Sequence, residues 1–149
     1  MTIEFPRKST NLPASDYNPI VERRLSVVGD LRRTVTVTFG QPHQIQRGEW
    51  QCPFQITGLD VSADSPAQLG YGIDSLSAWL NALAGARALL DASGLVFTWE
   101  GGEDGDTGIP QMIPSAFGRV FAQKVEEYIE WQASVFAAAA KAYAEKKRP

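Results

Sequence analysis

The stretch Thr34-Val35-Thr36-Val37-Thr38-Phe39 decides the fold class. Valine, valine and phenylalanine fall on one side and three threonines on the other. That strict period of two is the pattern of a strand with one buried and one wet face, usually in an antiparallel sheet. Working outward, Leu25 to Val28 forms a shorter apolar run that stops at Gly29-Asp30, a turn signal. Trp50 to Thr57 alternates again, with Trp50, Cys52, Phe54 and Ile56 opposed to Gln51, Gln55 and Thr57. Pro53 has no amide hydrogen to give a ladder, so this strand is expected at an edge or at a bulge. Gly40 to Gly48 is read as a flexible hairpin loop, and Gly58 to Gly72, rich in Gly, Pro and Asp, as a link.

Beyond the link the period changes. Asp74 is placed to cap a helix whose stripe is Leu76, Trp79, Leu80, Leu83, Ala86 and Leu90, with Gly94 where a terminating glycine belongs. Gly85 inside that helix costs about 1 kcal/mol against alanine, which predicts close packing on another element. Leu95 to Glu100 reads as a fourth strand. Ser115 then caps a second helix running to about Lys146, with a stripe of Phe117, Phe121, Val125, Tyr128, Gln132, Val135 and Phe136. At 1.5 Å per residue it reaches about 45 Å, more than a small domain needs, and its Ala-rich end is expected to project or to pack on a second copy. Homodimerisation through Phe136, Ala140 and Tyr143 follows from that reading. The expected fold is therefore α+β: a twisted antiparallel sheet of about four strands in the order β-β-β-α-β-α, both helices on its apolar face. Residues 1–20, with Pro6, Pro13 and Pro19, read as an extended N-terminal arm, and 21–149 as a single domain.

Counts exclude much chemistry. One cysteine, Cys52, and one histidine, His43, among 149 residues cannot build a zinc site, an internal disulfide or a dithiol redox pair. No cofactor is expected. Cys52 falls with Trp50 and Phe54 on the inward face, the setting of an inert thiol, and no Gly-x-Ser-x-Gly elbow occurs. No apolar run approaches a membrane span and the first residues lack a signal-type core, so the expected location is the cytoplasm. The formal net charge of −3 is unevenly spread: residues 1–33 carry +2, 34–109 carry −7 and 110–149 carry +2. An acidic middle is a poor match to nucleic acid.

That excess ends in Trp99-Glu100-Gly101-Gly102-Glu103-Asp104-Gly105-Asp106-Thr107-Gly108-Ile109-Pro110. The segment has three open readings: a solvated glycine turn, a hard-cation site, or an acidic protein-binding edge. The EF-hand pattern fails, since Gly108 and Ser115 stand where acids are needed. The binding-edge reading selects Trp99, Glu100, Glu103, Asp104, Asp106 and Met112. A second reading, a small-molecule pocket between sheet and helices, selects Trp79, Arg87 and Trp99.

The runs Gly72-Ile73-Asp74-Ser75-Leu76-Ser77-Ala78-Trp79-Leu80, Leu95 to Trp99 and Gly105-Asp106-Thr107-Gly108-Ile109-Pro110 together resemble a group of small bacterial α+β proteins. Some members of that group resemble immunity proteins of toxin–immunity pairs. The resemblance covers residues 72–125 and implies a compact domain with a protein partner, a cognate toxin, and no catalytic residue. The expected function is thus a non-enzymatic binding module with an acidic contact surface.

Overall fold

A computed structural model describes residues 17–59 and 66–147. The chain divides into two compact units, 1–111 and 112–149. The first holds β1 (Pro19–Val27), β2 (Asp30–Gly40), β3 (His43–Gln46), β4 (Glu49–Thr57), β5 (Gln68–Gly72), α1 (Ser75–Ala92) and β6 (Phe97–Thr98). The second holds a 3-10 turn, Ser115–Phe117, and α2 (Gly118–Lys146). The class is α+β and the sheet is antiparallel throughout, but it has six strands rather than about four.

Along the main path the strands run β3-β4-β2-β1-β6, and β5 joins at β4. Trp50 faces both Gln44 of β3 and Gly72 of β5, and Phe54 faces both Phe39 of β2 and Gln68 of β5. Strands β2 and β3 therefore share one edge of β4, while β5 takes the other. This corrects two readings. The Gly40–Gly48 loop contains a strand with a tight turn at Arg47-Gly48, where Gly48 adopts φ +74°. The Gly58–Gly72 link ends in β5. Strand β4 is internal rather than an edge, and Pro53 sits opposite the break between β2 and β3, where a missing N–H removes no bond from that ladder.

The alternation in β2 holds: Val35, Val37 and Phe39 are buried while Thr34, Thr36 and Thr38 remain partly or fully exposed. With Leu25, Val27, Cys52, Phe54, Ile56, Phe97 and Ile109 they form the apolar layer that α1 covers. Strand β1 begins at Pro19, earlier than the apolar run, because Glu22, Arg23 and Arg24 extend it without the usual hydrophobic signal. Of the expected N-terminal arm, residues 1–16 lie outside the described residues. Tyr17 donates its hydroxyl hydrogen to Thr38 Oγ1 at 2.6 Å, and Pro19 and Ile20 already belong to β1.

Helix α1 starts as read. The Asp74 carboxylate accepts from the Ser77 amide at 2.7 Å, and the Asp74 amide donates back to Ser77 Oγ at 3.1 Å. Ala86 and Leu90 of the expected stripe are buried, and Trp79 and Leu83 are partly buried against the core, but Leu76 is 65% exposed and Ala78 and Ala82 take the buried positions at the start of the helix. The reason is proximity. A Cβ at Gly70 would lie 2.3 Å from the Ala82 nitrogen, and one at Gly72 would lie 2.2 Å from the Ala78 nitrogen. The helix backbone rests directly on β5, so only alanines fit between. Gly85 likewise faces the Phe54 ring, 3.0 Å from where its Cβ would be.

Strand β6 is two residues long, shorter than the Leu95–Glu100 run, and pairs with Ser26 and Val27 of β1. In the second unit, Ser115 opens the 3-10 turn instead of capping α2, which begins at Gly118 without a side-chain cap. No residue of α2 is buried, and within the first unit α1 covers the core.

Candidate functional site

The glycine-rich acidic segment after β6 is a built loop. Its anchor is Trp99. The indole N–H donates to Asp106 Oδ2 at 3.0 Å, and Asp106 Oδ1 accepts from the Gly108 amide at 2.7 Å. The ring lies close to chain: a Cβ at Gly102 would fall 2.4 Å from Trp99 Nε1, and one at Gly108 2.9 Å from Trp99 Cε2. The Gly108 backbone sits at φ +63°, a region that side chains disfavour, so glycine is required there for two reasons. The Arg23 guanidinium of β1 lies over the ring, 4.1 Å from its centroid, a cation–π contact.

Backbone bonds close the rest of the loop. Gly102 N–H donates to Trp99 O at 2.9 Å, Gly105 N–H to Phe97 O at 2.8 Å, and Asp106 N–H to Glu103 O at 3.0 Å. Thr107 is buried and its hydroxyl oxygen accepts from the Ile109 amide at 3.3 Å. Arg87, half-buried on α1, donates to the Ile109 carbonyl and approaches Asp91 at 3.7 Å. It pins the end of the loop through a backbone oxygen, not through one of the loop acids. The Trp99 and Gly108 N–H donors, then the Arg23 and Arg87 charges, hold the Asp106 carboxyl below its ordinary range.

The acids thus separate into two roles. Asp106 is consumed by the loop itself. Glu100, Glu103 and Asp104 are exposed, and none of their side chains makes a hydrogen bond or ion pair among the described residues. An open groove of about 300 Å³ adjoins Glu100, lined also by Glu22, Arg23, Arg24 and Trp99. Within that lining Arg24 pairs with Glu22 at 2.6 Å.

Trp99, Glu100, Glu103, Asp104 and Asp106 therefore share one loop, whereas Met112 belongs to the second unit. Of the pocket residues Trp79, Arg87 and Trp99, only Trp99 lines this groove. Trp79 is partly buried against the core, two helical turns or about 12 Å along α1 from Arg87. Arg23, Glu22 and Arg24 were not legible as site residues. Their membership depends on β1 pairing with β6, and strand partners do not show in local sequence.

Elsewhere, Cys52 is fully buried and burial pushes its thiol up to about 11. His43 lies exposed on β3, where the Gln51 amide donates to its Nε2 at 2.5 Å. Among the described residues no group of three or more His, Cys, Asp or Glu side chains is arranged to hold a metal ion. None of the described helices is long and apolar enough to cross a membrane.

A six-stranded antiparallel sheet covered by one helix, with a tryptophan-anchored acidic loop after the last strand, defines an α+β domain. Residues 21–111 match the family described as Domain of unknown function (DUF6968), and the chain belongs to that family. The match ends where the first compact unit ends, so α2 lies outside the family domain. No curated protein and no solved structure matches the chain.

Proposed function

We propose that this protein is a non-enzymatic, cytoplasmic protein-binding module whose contact surface is the Trp99 loop and the groove beside it. The observation that carries this reading is the division of labour among the loop acids. Asp106 and the glycines fix the loop on Trp99, which leaves Glu100, Glu103 and Asp104 displayed without side-chain partners among the described residues. Three displayed carboxylates on a pre-ordered loop suit a basic partner surface. Holding them in place beforehand removes ordering entropy from the binding step. Such charges raise association rate and specificity more than intrinsic affinity. Trp99 and the aliphatic stem of Arg23 supply an apolar floor for a partner side chain. Together with the resemblance to immunity proteins, this makes a basic toxin the partner class.

The test is affinity purification from the source cells, followed by kinetics on the purified partner. The expected partner is basic and its binding weakens with salt. The variant Glu100→Ser/Glu103→Ser/Asp104→Ser is expected to associate about tenfold more slowly. A partner whose association rate is unchanged by that variant refutes the assignment of the surface.

A further inference from the structure

Helix α2 carries large apolar side chains with nothing of its own unit to cover them. Ile129, Phe136 and Tyr143 are 56%, 72% and 62% exposed. With Ala133 and Ala140 they form the series Ile129, Ala133, Phe136, Ala140, Tyr143, spaced alternately four and three residues apart. A 4-3 spacing averages 3.5 residues, the repeat that keeps one seam of a helix facing a second helix along its length. Large and small residues alternate strictly on this seam. Charge is segregated as well: Glu126, Glu127 and Glu130 lie around its start, Glu126 paired with Arg119 at 3.0 Å, and Lys141, Lys146 and Lys147 outnumber Glu145 at its far end.

We propose that α2 pairs with α2 of a second copy of this chain, antiparallel, crossing near Ala138. In that arrangement Phe136 fills the space over the partner's Ala140, and Tyr143 that over the partner's Ala133. Phe136 and Tyr143 thus each meet an alanine, as close packing requires, while Ile129 falls opposite the end of the partner helix. Glu130 of each helix lies opposite Lys146 of the other, and the two helix dipoles oppose. A parallel pair does the reverse: it stacks Phe136 on Phe136 and sets three glutamates against three glutamates. Charge and side-chain volume thus select the same orientation independently. The pairing does not depend on the Trp99 loop.

The experiment is sedimentation velocity on the full chain up to sub-millimolar concentration, with two charge sets. One is Glu126→Lys/Glu127→Lys/Glu130→Lys and the other Lys141→Glu/Lys146→Glu/Lys147→Glu. The wild type is expected to dimerise, each set alone to be shifted towards monomer, and an equimolar mixture of the two sets to recover the dimer. Recovery on mixing also shows that both variants are folded. Phe136→Glu is expected to weaken the dimer by roughly tenfold or more, the scale of burying one phenylalanine. A monomeric wild type, a dimer indifferent to Phe136→Glu, or a mixture no tighter than either set alone overturns the proposal.

Discussion

Replacing Gly70 by alanine tests the close approach of α1 to β5. The new Cβ would meet the Ala82 nitrogen at 2.3 Å, the Ala78 oxygen at 2.6 Å and the Ala82 Cα at 2.6 Å. All three atoms belong to the α1 backbone, so no rotamer change relieves them. Restoring ordinary van der Waals separation means lifting α1 from β5 by about 1 Å, and a gap of that size forfeits a quarter to a half of each dispersion contact it opens. The line that would lift includes Ala78, Ala82, Ala86 and Leu90, all at 0% exposure. Overpacking against side chains costs about 1–3 kcal/mol, and here the obstacle is main chain, so the upper end, about 3 kcal/mol, is expected. For a domain of this size that lowers Tm by about 12 °C or more. Gly85→Ala is the control. Its Cβ would meet only the tip of the Phe54 ring, at 3.0 Å, and alanine gains about 1 kcal/mol of helix propensity. The two terms offset, and a change within about 1 kcal/mol is expected. Urea unfolding followed by far-UV circular dichroism reads both. Adding Ala82→Gly to Gly70→Ala should give no rescue, because the clash is with backbone. A Gly70→Ala protein as stable as Gly85→Ala would refute the close approach of helix and strand.

Two further predictions concern ionisation. The Asp106 carboxyl is held below its usual value of 3.8, so its contribution to the loop is present above that pH and is lost as pH falls through the lower, folded-state value. Asp106→Asn should therefore differ from wild type in Tm at neutral pH, with the difference shrinking in acid below 3.8; a difference independent of pH would refute the charged role. The Cys52 thiol is raised from 9.0 to about 11, so the folded state holds its proton more tightly and stability should fall as pH rises across that interval. Native protein should also resist thiol reagents at pH 8 and react on unfolding; rapid native labelling would contradict the burial.

Helix α1 and the loop after β6 show how differently sequence and structure speak. Helix α1 was legible at both ends, since Asp74 with Ser77 and Gly94 act on their own neighbours. Its buried line was legible only in its second half, Ala86 and Leu90; in the first half hydrophobic size points to Leu76, while the approach of Gly70 and Gly72 reserves the contact for Ala78 and Ala82. The Gly58–Gly72 stretch reads as a link because Gln68-Leu69-Gly70-Tyr71-Gly72 is a poor strand by composition; its last five residues are a strand through their pairing with β4. In the site, the run from Trp99 to Pro110 stood out by its acids and glycines. That Asp106 serves Trp99 whereas Glu100, Glu103 and Asp104 remain displayed is invisible in a list of four acids.

What the sequence determined by itself was local or additive: the period of β2, the capping of α1, the length of α2, the segregation of charge, and the scarcity of cysteine and histidine. Each depends on residues a few positions apart or on simple counts. What the tertiary structure decided was pairing. It set β3 and β2 on one edge of β4 with β5 on the other, brought Arg23 over Trp99 by joining β1 to β6, and divided the loop acids by role. Those choices compare contacts between residues tens of positions apart, and their energy resides in how closely two surfaces fit. No window of sequence contains both surfaces.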